Sequence, residues 1–97
     1  MCTYQTTIVD IDASGKTASG WQRLNQASVY VDHPVHFASN HAVMIDVINP
    51  LEGAQARVAL EMDAESARAL AEAILTALRE TPEAILGDTK RVIGLPC

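Results

Sequence analysis

The apolar residues of this 97-residue chain change period once, close to residue 63. Ahead of that point they fall in short runs and alternations rich in β-branched side chains, the pattern of half-buried strands. Beyond it Ala67, Leu70, Ala71, Ile74, Leu75 and Leu78 recur at helical spacing. Strands followed by one amphipathic helix make an α+β domain. The expected architecture is a four-stranded antiparallel meander packed on one C-terminal helix over residues 63 to 80, with an extended tail from 82 to 97. Residues 1–97 form one domain, with its core at about 3–80 and the tail as an interface arm.

The first strand is read at residues 3–12, where Thr3, Tyr4, Thr6, Thr7, Ile8, Val9 and Ile11 stand without a breaker. Residues 13–27 are small and polar, contain Gly15 and Gly20, and read as a long loop carrying Trp21 and Leu24. Such a loop serves as a lid or an interface arm. The second strand, 28–33, stops at Pro34, which has no N–H for the ladder. The third, 41–48, is apolar on both faces, and Asn49, Pro50 and Gly53 turn the chain into the fourth, 55–62. Asp63 suits an N-cap, Glu65 favours the positive end of the helix dipole, and Pro82 closes the helix. In the tail, Ala84 to Leu86 suggest a helical turn, and 89–95 a fifth strand or an arm onto a neighbour.

Register follows from keeping one face apolar. That criterion sets Val43 opposite Leu60, Ile45 opposite Val58 and Val47 opposite Ala56, with Asp46 opposite Arg57 as an ion pair on the other face. In the preceding hairpin Val29 meets Ile45, Val31 meets Val43 and His33 meets His41. Tyr30, Met44 and Ile48 lie among polar residues on the second face, suited to dimer contact or to a strand from the tail.

All three histidines, His33, His36 and His41, fall in the short Asp-His-Pro-Val-His-Phe-Ala-Ser-Asn-His stretch. With His33 and His41 facing each other and His36 in the connection, three imidazoles could converge on a divalent transition metal, zinc first. A metal so held polarises a carbonyl and acidifies bound water, the chemistry of a small lyase or hydrolase. The plainer reading makes His33 and His41 hydrogen-bonding residues at the end of a sheet. Metal-free acid–base work by one histidine is a further option. Trp21 as a lid and Met62 beside His41 are the candidate substrate-binding residues; the plainer role for Trp21 is a cap on the core edge.

Other motifs fail on spacing. Asp10-x-Asp12-x-Ser14-Gly15 starts like a calcium loop, but Trp21 stands where a bidentate glutamate is needed. Ser14-Gly15-Lys16-Thr17 echoes a phosphate-binding loop whose first glycine would be Asp10, so no nucleotide is expected. A net charge of −5 disfavours nucleic acid and anionic membrane surfaces. With no spanning apolar run and no leader, the expected setting is cytoplasmic, with Cys2 and Cys97 as free thiols. One Trp, two Tyr and one Phe leave a core of small aliphatic residues, which favours a homodimer or larger oligomer.

The opening Met-Cys-Thr-Tyr-Gln-Thr, the Val-Tyr-Val-Asp-His-Pro-Val-His stretch and the Ala-Arg-Val-Ala-Leu-Glu-Met-Asp-Ala-Glu-Ser-Ala-Arg-Ala-Leu segment together resemble a family of small uncharacterised actinobacterial proteins. The resemblance covers about residues 1–80, and Asp32-His33-Pro34-x-His36 is its most distinctive part. It implies a bacterial cytoplasmic setting and no particular substrate. Three readings remain: a metal-binding protein with a histidine cluster on a β-hairpin, a non-enzymatic oligomeric binding or assembly protein, and a metal-free small-molecule enzyme using one histidine.

Overall fold

A computed structural model describes residues 5–87. Four strands, β1 (Thr7–Thr17), β2 (Gly20–Asp32), β3 (Ala42–Ile48) and β4 (Arg57–Met62), form one antiparallel sheet in the order β1-β2-β3-β4. Helix α1 (Ala64–Glu80) and the short α2 (Glu83–Gly87) follow. The expected meander with its C-terminal helix is therefore the fold. The sheet forms one compact unit ending at Ala64, and the helical segment from Glu65 forms another. No helix among the described residues is long and apolar enough to cross a membrane. The expected fifth strand at 89–95 and both cysteines lie outside the described residues.

Residues 13–27 are not a loop. β1 and β2 are long strands joined by a tight hairpin, with Lys16 opposite Trp21, Ser14 opposite Arg23 and Ala13 opposite Leu24. Apart from Trp21 and Leu24, both faces of this extension carry polar or small residues, so it lacks the alternation that marks a half-buried strand. The turn is closed by Thr17, whose hydroxyl donates to the Gly20 carbonyl at 3.0 Å and accepts the Ser19 N–H at 3.1 Å. Gly20 sits at φ +100°, a backbone state that costs little only without a Cβ. The Arg23 guanidinium reaches Asp12 at 3.0 Å. An extra residue between Asp10 and Ala13 bulges β1 and bends the hairpin.

The β2–β3 register is the expected one: Val29 faces Ile45 and Val31 faces Val43. The β3–β4 register is shifted by two residues, with Val43 opposite Met62, Ile45 opposite Leu60 and Val47 opposite Val58. Its cause lies in the connection. Asn49 is buried, its N–H donates to the Ala56 carbonyl at 3.0 Å, and its side-chain oxygen accepts the Leu51 N–H at 3.1 Å. A 3-10 turn at Gly53–Gln55 delivers Ala56, fully buried, as the last residue of the turn rather than the first of the strand. One face of the sheet thus presents Val29, Val31, Val43, Ile45, Val47, Val58 and Leu60. The other presents Tyr30, Met44, Asp46, Arg57, Ala59 and Glu61.

Candidate functional site

The polar face of the sheet carries a hydrogen-bonded row across three strands. Asp46 on β3 accepts the Tyr30 hydroxyl from β2 at 2.8 Å through Oδ2, and the Arg57 guanidinium from β4 at 2.8 Å through Oδ1. Asp46 stands directly opposite Ala59, and Arg57 opposite Ile48. The expected ion pair therefore forms on the diagonal, where a long guanidinium reaches easily. The hydrogen bond to Asp46 pushes the Tyr30 phenol above its ordinary range, and the same carboxylate raises Arg57 further.

The connection between β2 and β3 folds over this face. Glu61, on β4 opposite Met44, receives three consecutive main-chain N–H groups: Val35 at 2.6 Å on Oε2, and His36 at 2.9 Å and Phe37 at 2.8 Å on Oε1. The segment has no ladder to satisfy these donors, and the carboxylate does so instead. Those bonds, Val35 first, hold the Glu61 carboxyl below its ordinary range. The loop so pinned walls a cleft of about 710 Å³ over Met44 and Ala59, with the Tyr30–Asp46–Arg57 row at its base.

The histidines divide. The His33 and His41 rings meet with centroids 4.6 Å apart and planes tilted by 36°, as the hairpin register implied. Both lie just beyond the strands, since β2 ends at Asp32 and β3 begins at Ala42. His33 Nδ1 lies 2.8 Å from the Asn40 carbonyl, which can only accept, so Nδ1 carries the proton of this bond. His36 and His33 both border the cleft. Among the described residues no three His, Cys, Asp or Glu side chains are grouped so as to hold a metal ion.

Trp21 and Met62 are not brought together at this cleft. Trp21 is at the far end of the β1–β2 hairpin, two-thirds exposed, and Met62 pairs with Val43 at the end of β4. Glu61 and Tyr30 had no motif to mark them as site residues. The only hint was a tyrosine and a methionine sharing the polar face with the Asp46–Arg57 pair.

No curated protein and no solved structure matches the chain. A family model does match, over residues 1–87, and the chain accordingly belongs to that family, a family of unknown function (DUF6295).

Proposed function

We propose that this domain is a small-molecule-binding module and that its site is the cleft on the polar face of the sheet. The observation that carries this reading is the cleft itself. Its volume of about 710 Å³ lies within the roughly 300–1,000 Å³ of ordinary ligand pockets. Apolar Met44, Ala59 and Phe37 offer contact area, while Tyr30, Asp46 and Arg57 offer directional hydrogen bonds. His36, at the wall, is the group that a metal-free reaction on the bound molecule would use. A fragment screen followed by amide NMR tests the reading. Ligands should shift the amides of Tyr30, Met44, Asp46 and Ala59, and Arg57→Ala should weaken them by about tenfold or more, as for loss of a charged hydrogen bond. A screen in which every hit maps elsewhere removes the proposal.

The contact between His33 and His41 favours a second reading, a metal-binding protein with His33, His36 and His41 as ligands and zinc as the first candidate. It expects untagged protein to bind one zinc ion in a calorimetric titration and to lose that binding in His33→Ala and His41→Ala. Equal zinc binding by those variants, or none by the parent, overturns it. Self-association as a homodimer through the apolar sheet face is compatible with either reading.

A further inference from the structure

The polar groups of the cleft are largely committed to one another, and what they still offer defines a ligand. Asp32, Asp46 and Glu61 bring three carboxylates to the cleft, against the one guanidinium of Arg57. An anion approaching Arg57 would find it already paired with Asp46 and would meet two more negative charges. A cation meets carboxylates that are already partly satisfied: Asp46 by Tyr30 and Arg57, Glu61 by three N–H groups and Asp32 by the His33 N–H, so each offers it only the lone pairs that remain. Tyr30 gives its proton to Asp46, which leaves its oxygen as an acceptor. Arg57 spends one of its several N–H groups on Asp46, and its side chain is half exposed. One donor surface and one acceptor therefore flank a single carboxylate, each 2.8 Å from one of its two oxygens. Phe37 and Met44 supply the apolar surface that a flat ring would cover.

We infer, on the reading that the cleft binds a small molecule, that it selects an uncharged planar ligand bearing an amide-like pair, its acceptor toward Arg57 and its donor toward Tyr30. Three probes of one size separate the possibilities: benzamide, benzoate and benzylammonium, each titrated at millimolar concentration while amide NMR spectra of the full chain are recorded. Benzamide should shift Tyr30, Met44, Asp46 and Ala59 and bind about tenfold tighter than either charged probe. Tyr30→Phe and Arg57→Gln should each weaken benzamide severalfold, with unchanged dispersion of the remaining amides showing that both variants fold. Benzoate or benzylammonium binding the cleft as tightly as benzamide overturns the ligand class and leaves the cleft as a site. Failure of all three to shift those amides overturns both the class and the cleft reading.

Discussion

Gly15 faces Gln22 in the first hairpin, and a Cβ placed there would clash with Leu24 Cδ1 and lie 3.6 Å from Val58 Cγ2. Leu24 is 3% exposed, one of the few well-buried apolar side chains described, so it has little room to turn away. The glycine is there for close approach, not for a turn. Gly15→Ala should destabilise the fold by about 1–2 kcal/mol through overpacking. Leu24→Ala alone should cost about 2–5 kcal/mol. In the double variant the added methyl enters space the leucine has vacated, so the alanine at 15 should cost nothing further. Urea denaturation of the four proteins closes the cycle, and strictly additive losses would show that the two side chains do not meet. A residue reading of the chain places Gly15 in a polar loop because nothing local announces a leucine folding over it.

The β2–β3 connection is held by one carboxylate, and its stability is therefore linked to pH. The Glu61 carboxyl titrates below its ordinary range in the folded protein, so the folded state binds fewer protons than the unfolded one as pH falls. The contribution is complete above the ordinary glutamate range and disappears as pH drops through the lower folded value. Glu61→Gln, which offers one acceptor oxygen in place of two, should speed amide exchange at Val35, His36 and Phe37 at neutral pH. It should also flatten the acid limb of the stability curve. Exchange rates at those three amides equal to the parent's would show that the loop is held by something else. These bonds run from main-chain donors, which leave no mark on side-chain identity, and Glu61 was for that reason unreadable as a site residue. The facing of His33 and His41 follows from the Val29–Ile45 and Val31–Val43 register, which is one of the pairings that keep the apolar sides together. The same criterion misplaced β4 by two residues. Strand side chains repeat every second position, so a slip of two keeps every apolar residue on its face and leaves hydrophobicity indifferent. The buried Asn49 and the turn it closes against Ala56 decide between the two.

At the scale of the molecule, the sheet has a row of partly exposed apolar side chains on one face. Val29, Ile45 and Leu60 form one rung across β2, β3 and β4, and Val29 and Leu60 are 38% and 43% exposed. Val9, on β1 opposite Ala27, adds to the same face at 42%. On the reading that the domain self-associates, this contiguous apolar surface is where the contact would form. A second copy of the chain is the simplest cover, since the two-fold pairing of identical faces closes on itself and stops at two. Sedimentation velocity should then give a dimer at micromolar concentration. Leu60→Asp, which sets a charge in the middle of the rung, should shift the protein to monomer. Glu61→Gln, one residue away on the opposite face, should leave the dimer intact, and that contrast separates loss of the interface from general loss of fold. A monomeric parent would show that this face does not pair with a second copy.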